Sequence, residues 1–87
     1  PPRADAPAAT FAAVQSIVQQ RCVVCHNEQV NHKGVMLHSP ALLLQHAPQV
    51  HQQVVVTRQM PMNNATGITE DERALVGRWF TAGARPD

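Results

Sequence analysis

Residues 22–26 read CVVCH and contain both cysteines of the chain. Two thiols separated by two residues, with a histidine directly after the second, are the pattern typical of covalent haem attachment. On one tight helical turn, Cys22 and Cys25 could each form a thioether with one vinyl group of a single porphyrin. The imidazole of His26 would then face the iron as its proximal ligand. We therefore predict one covalently attached haem c, with Cys22 and Cys25 as anchors and His26 as an iron ligand.

Other chemistries use the same residue types. A structural zinc site usually needs four ligands. The chain has no second cysteine pair, so zinc would have to combine Cys22 and Cys25 with two histidines such as His46 and His51. A thioredoxin-like redox pair requires a βαβ context, and the sequence shows no convincing strand. A plain disulfide would leave His26 incidental. Haem attachment is the first interpretation, and zinc or thiol chemistry stays open.

The second axial position of a haem iron needs its own ligand, and electron carriers usually fill it with methionine. The chain has three methionines, Met36, Met60 and Met62. Met60 precedes Pro61, and a proline biases the residue before it toward extended backbone, which suits a loop residue that points its thioether inward. We predict that Met60 is the sixth ligand, that Met62 is its nearest rival and that Met36 fills the core. A bis-histidine haem is the alternative.

Composition and charge narrow the class of protein. The chain has 87 residues, which is enough for one small domain whose own core would be marginal. Only 3% of the residues are aromatic, and a bulky covalent cofactor would supply apolar mass that the chain lacks. The net charge of +1 argues against a nucleic-acid partner. No apolar run approaches the length of a transmembrane helix.

The chain divides into a front linker and one helical domain. Residues 1–9 are rich in proline and alanine, which predicts a flexible linker. Residues 10–87 carry helical patterns, so the predicted fold class is all-α. The first predicted helix begins at the N-cap Thr10 and runs directly into the CVVCH turn. Helical spacing predicts that one face of this helix carries Phe11, Val14, Ile17, Val18 and Arg21.

Three further helices are predicted beyond the attachment motif. One begins at Ser39 with a proline at its first position. Another covers residues 48–58, although the valine run 54–56 also suits a strand. The clearest helix begins at Thr69, which forms a capping box with Glu72. Its apolar stripe consists of Leu75, Val76, Trp79 and Phe80.

Over residues 10–84 the chain resembles a class I cytochrome c domain. A helix leads into CVVCH, a Met-Pro loop follows, and the C-terminal helix contains an aromatic residue, here Trp79. The resemblance implies a small all-α fold in which the first and last helices cross around one haem. It also implies that Phe11 or Val14 meets Trp79 at the crossing, where Gly77 would allow close approach.

A narrower resemblance rests on the segments KGVML, APQVHQQVVVTRQMP and NNATGITEDERALVGRWFTAGA. They are similar to the C-terminal cytochrome c domain of membrane-bound bacterial urate oxidases (urate hydroxylases). In that family an integral-membrane part oxidises urate, and the fused cytochrome domain carries the electrons away. The resemblance implies Cys22, Cys25 and His26 as the haem site, Met60 as the sixth ligand and residues 1–9 as the tether to the membrane part.

The resemblance also implies partners and a location. The electron donor would be a fused or neighbouring membrane dehydrogenase or oxidase domain, and the acceptor would be a downstream cytochrome or a terminal oxidase. The domain would lie on the periplasmic side, tethered to the inner membrane, and would be an electron carrier without catalysis of its own. A free-standing periplasmic shuttle and a small peroxidase with an open sixth position are the alternatives.

One feature departs from the class I pattern. Many class I cytochromes c place a proline soon after the attachment motif, and its carbonyl accepts a hydrogen bond from the ligand histidine. Residues 27–39 contain no proline. His26 still needs such an acceptor, because the bond fixes the ring orientation and the ligand basicity. Three basic side chains near the predicted site are candidate partners of the haem propionates, namely Arg21, Lys33 and Arg58.

Overall fold

The structure is a computed structural model that describes residues 8–23, 25–30 and 34–86. Its regular structure, in chain order, consists of α1 (Phe11–Arg21), α2 (Pro40–Gln45), α3 (Ala47–Val50), a π-helix (His51–Val56), a 3₁₀ turn (Met62–Asn64) and α4 (Glu70–Thr81). The described residues contain no β-strand, which confirms the all-α class. None of these helices has the length and apolar character that crossing a membrane requires. Residues 1–7 of the predicted linker lie outside the described part.

Helix α1 forms as its sequence predicts. The Thr10 side chain accepts a hydrogen bond from the Ala13 amide at 3.1 Å, which satisfies one of the unpaired donors of the first turn. The apolar face predicted from the spacing is buried along its whole length, at Phe11, Val14, Ile17 and Val18. The helix ends at Arg21, so the attachment motif begins on its last turn.

Helix α4 begins with the predicted capping box. The Thr69 hydroxyl accepts from the Glu72 amide at 3.1 Å, and the Glu72 carboxylate accepts from the Thr69 amide at 2.9 Å. Acidic residues occupy the first turn, where the positive end of the helix dipole stabilises their negative charges. Of the predicted apolar stripe, three residues are buried and Phe80 is half-buried, with its ring stacked on His51 at 4.2 Å.

Helices α1 and α4 pack against each other and both contribute residues to the apolar core. The rings of Phe11 and Trp79 are 5.9 Å apart between centroids, which confirms the predicted contact. The expectation for Gly77 is wrong. A Cβ on Gly77 would lie 3.2 Å from the Val55 side chain. This glycine therefore allows the π-helix, rather than α1, to approach α4 closely. The reason is rotational, because two residues turn a helix by roughly 200° and Trp79 already faces α1.

The segment 48–58 is helical, but its hydrogen bonding changes along its length. Helix α3 gives way to the π-helix, in which the Thr57 amide bonds to the Gln52 carbonyl, five residues earlier, at 2.9 Å. The alternative that the valine run 54–56 forms a strand is therefore wrong. Val50 and Val54 are both buried, which confirms that they share a face.

The Thr69 cap can be tested without any cofactor. Thr69→Ala should lower the free energy of unfolding by about 1 kcal/mol, because the Glu72 amide loses its acceptor and half of the capping box disappears. Thr69→Ser keeps the hydroxyl and should lose little. Thr81→Ala makes the same substitution at the exposed far end of α4 and serves as the control. Urea unfolding followed by circular dichroism measures all three, and equal losses at both ends would contradict the capping assignment.

Candidate functional site

The attachment motif forms a tight turn that continues α1. Three backbone hydrogen bonds form the turn. The Cys22 amide donates to the Val18 carbonyl at 2.9 Å. The Cys25 amide donates to the Cys22 carbonyl and the His26 amide to the Val23 carbonyl, both at 3.1 Å. The two thiols are not joined in a disulfide. Cys22 is half-buried at the edge of the apolar core, whereas Cys25 is exposed. The sequence-predicted anchors and the histidine therefore occupy one compact turn.

The His26 ring is oriented by a backbone carbonyl. Its Nδ1 lies 2.9 Å from the Val35 oxygen. A carbonyl can only accept, so Nδ1 donates in this contact, and in the neutral tautomer that donates from Nδ1 the metal-binding nitrogen is Nε2. The His26 carbonyl in turn accepts from the Leu37 amide at 2.8 Å. Val35 thus supplies the acceptor that the sequence requires but does not identify, and Leu37 donates to the His26 backbone.

Asn27 organises the loop that follows the motif. Its side-chain oxygen accepts from the Gln29 and Val30 amides, both at 2.9 Å, and its amide nitrogen donates to the Val23 carbonyl at 2.6 Å. Asparagine is suited to such local side-chain bonds with the backbone. Asparagine in this position is itself a signal for such a turn, and it adds a residue to those that the motif predicts.

Met60 is fixed through both polar groups of its backbone. Its amide donates to the Gln53 carbonyl at 3.0 Å, and its carbonyl accepts from the Arg73 guanidinium at 2.8 Å. The side chain is half-buried and packs against the same apolar core that Cys22 and Val35 border.

The rival methionine has a different environment. Met62 lies in the 3₁₀ turn with 59% of its surface exposed. An exposed thioether lacks the apolar surroundings in which sulfur would be expected to bind iron. Met36 is half-buried. The two candidate methionines therefore differ in burial, because Met60 borders the apolar core and Met62 is exposed.

A second set of contacts ties the attachment turn to the loop after Met60. The Arg21 guanidinium contacts the Glu72 carboxylate at 3.2 Å and donates to the Thr66 carbonyl at 2.5 Å. The Thr66 hydroxyl returns a bond to the Arg21 carbonyl at 2.7 Å. The last residue of α1 is therefore joined both to the loop and to α4.

These contacts bear on the predicted propionate partners. Arg21 is engaged by Glu72 and Thr66, and the exposed Arg58 forms an ion pair with Glu70. Both guanidinium groups therefore already have a carboxylate partner. Lys33 lies outside the described residues.

The two thiols differ in their electrostatic surroundings. Burial raises the pKa of Cys22 to about 11, and the nearby Cys25 and Glu72 add to the effect because a thiolate would repel their negative charges. Cys22 is therefore a neutral thiol near pH 7, and its reactivity is low. Cys25 is exposed to reagents in solution.

The zinc alternative requires two histidines beside Cys22 and Cys25, and one candidate, His32, lies outside the described residues. Among the described residues, no three His, Cys, Asp or Glu side chains come together as a metal-binding group. His51 stacks on Phe80, and His46 connects α2 to α3 with its Nδ1 buried and unbonded. Two thiols and an imidazole lie on one turn, and a half-buried thioether borders the same core, so the donor types that haem c would use are present here.

Comparison of the chain with models of protein families, with curated proteins and with solved structures found no match. The function is therefore inferred from the chemistry of the chain's own residues.

The difference between the thiols is measurable in protein produced without haem attachment. Single-cysteine variants, Cys25→Ser and Cys22→Ser, isolate each thiol. With iodoacetamide at pH 8, Cys25 should react at least about tenfold faster than Cys22, because burial, the largest cause of the raised Cys22 pKa, persists in Cys25→Ser and leaves few thiolates. The Cys22 rate should keep rising above pH 10 as its thiolate forms. Mass spectrometry follows the reaction. In denaturant the two rates should converge, and equal rates in the folded protein would contradict the assigned burial.

Proposed function

We propose that the chain is a c-type haem electron-transfer domain of the class I cytochrome c type. Cys22 and Cys25 are the thioether anchors, and His26 and Met60 are the axial ligands. The observation that supports this most directly concerns the His26 ring, which lies on the turn that carries both thiols. Its Nδ1 donates to the carbonyl of Val35, nine residues later. A ligand histidine in a haem protein needs such a bond to set its tautomer and its basicity.

Haem bound there would supply a one-electron couple between ferrous and ferric iron. The chain's residues set the conditions for that couple. His26 is aimed by Val35, and the bond from Nδ1 increases the electron density that Nε2 can donate. Met60 offers a thioether, which raises the potential relative to a second histidine. With both axial positions filled by protein, the domain should neither bind nor activate oxygen.

The proposal extends to a parent protein through the resemblance to membrane-bound bacterial urate oxidases. The domain would accept electrons from a fused membrane oxidoreductase that oxidises urate, and would pass them to a downstream cytochrome or a terminal oxidase. Residues 1–9 would be the tether on the periplasmic side. Purified alone, the domain should not oxidise urate, and it should reduce and reoxidise reversibly with small redox mediators.

An optical spectrum of the holo protein tests the ligands. The chain should be expressed in a host with a haem attachment system, and spectra should be recorded in both oxidation states. We expect a c-type spectrum with the weak near-infrared band of ferric iron bound by sulfur. Met60→Ala should abolish that band while keeping the haem attached. Met62→Ala, the matched control two residues away, should preserve it.

The opposite results are equally informative. Loss of the band in Met62→Ala and its survival in Met60→Ala would reverse the assignment of the sixth ligand. A c-type spectrum without the band in the unmodified chain would favour a second histidine or an open position. Absence of haem from protein made in a maturation-competent host would contradict the proposed function.

A further inference from the structure

Arg73 is a buried charged residue in the described part of the chain, with only 9% of its surface exposed. It is the fourth residue of α4 and directly follows the three acidic residues of the first turn. Burial of a charge is costly unless the group is fully hydrogen-bonded. Burial of the Arg73 charge is therefore unfavourable unless the contacts of its side chain compensate for the lost hydration.

Two backbone carbonyls explain the placement. One guanidinium nitrogen, Nη1, donates to the Val54 oxygen and to the Met60 oxygen, both at 2.8 Å. The Val54 carbonyl belongs to the last turn of the π-helix, where carbonyls lack the partners that continued helix would give them. The Met60 carbonyl belongs to the loop that presents the predicted sixth ligand. The Arg73 side chain, which projects from α4, therefore links the two residues that flank segment 55–59.

The same contact completes the fixation of Met60. Its amide is already bonded to Gln53 in the π-helix, so the Arg73 bond occupies the other polar group of the Met60 backbone. A thioether is a weak ligand, and a site that tolerates little displacement requires its support to be rigid. Without Arg73, two carbonyls next to the core would lose their donor.

We propose that Arg73 is a positioning residue for the sixth ligand, because its guanidinium fixes the Met60 backbone against the π-helix and so determines where the thioether is presented. This inference rests on the proposed function, since it assumes that Met60 binds iron. It adds to that proposal a residue whose side-chain hydrogen bonds in the described part of the chain go to the Val54 and Met60 carbonyls rather than to the turn that carries Cys22, Cys25 and His26.

Imidazole binding to the ferric holo protein measures how firmly Met60 is presented, because external imidazole must displace it. Arg73→Met keeps the length of the side chain and removes its donors. It should raise the affinity for imidazole roughly tenfold or more, since losing hydrogen bonds to a charged group corresponds to at least that factor. Arg73→Lys keeps the charge and should fall between. Arg85→Met, at an exposed position after α4, is the matched control and should leave the affinity unchanged.

A double-mutant cycle separates positioning from general stability. In a Met60→Ala background no thioether competes, so Arg73→Met should not change imidazole affinity further. If Arg73→Met increases the affinity equally with and without Met60, the residue acts on the whole core and the inference is overturned. Unchanged affinity in the Met60-containing protein would overturn it as well. Should Arg73→Met fail to accumulate as holo protein, Arg73→Lys is carried through the same cycle.

The cycle also distinguishes this inference from the proposed function. A normal c-type spectrum with the sulfur band, together with Arg73 variants that bind imidazole like the unmodified chain, overturns the role of Arg73 alone. A haem-containing chain without the sulfur band overturns the role of Arg73 together with the assignment of Met60, while haem attachment at Cys22 and Cys25 still stands. A chain that acquires no haem overturns both.

Discussion

The Arg21 side chain is the junction on which the candidate site depends. It binds the Thr66 carbonyl and the Glu72 carboxylate, and the same carboxylate oxygen accepts from the Thr69 amide that begins α4. One acidic side chain therefore starts a helix and anchors the end of another. Both partners are about three-quarters buried, with 25% and 22% of their side chains exposed, so solvent screens them less than an ordinary surface pair. Because Cys22 follows Arg21 directly, this junction sets the position of the attachment turn.

A domain of this size has to support its site with few residues. The core holds the predicted apolar faces of α1 and α4, and half-buried Cys22, Val35 and Met60 border it. Under the proposed function these border residues are where an apolar cofactor would complete the burial that the chain achieves only in part. Small scaffolds commonly depend on such added mass, because their own cores contribute little net stability.

The parts of the fold that follow local rules could be predicted from the sequence. The caps at Thr10 and Thr69 act through side chains a few residues away, and the apolar spacing of α1 and α4 reports directly which face is buried. The π-helix was missed because a run of valines carries no signature for wider turns. The neighbour of Gly77 is not predictable in the same way, because a glycine is compatible with close approach of another helix but does not identify that helix.

The candidate site also combines residues that a local motif identifies with residues that only the tertiary structure identifies. CVVCH is a local motif, so its residues could be named directly. The acceptor for His26 is a backbone carbonyl nine residues later, and a carbonyl has no residue type by which to recognise it. Arg73 was missed because a basic residue beside three acidic ones at a helix start resembles a solvated surface charge. Only the fold shows that its side chain turns inward to two carbonyls.

The choice between Met60 and Met62 shows why backbone contacts matter to the proposed chemistry. The two side chains are chemically identical and two residues apart, so side-chain type cannot select between them. Met60 has its amide and its carbonyl bonded to two different helical elements, whereas Met62 lies in a short exposed turn. Electron transfer proceeds best when little has to reorganise between oxidation states, and ligands fixed in advance meet that requirement. A thioether whose backbone is fixed from both sides can stay in place through both states, and the fixation comes from α4 and the π-helix rather than from the methionine itself.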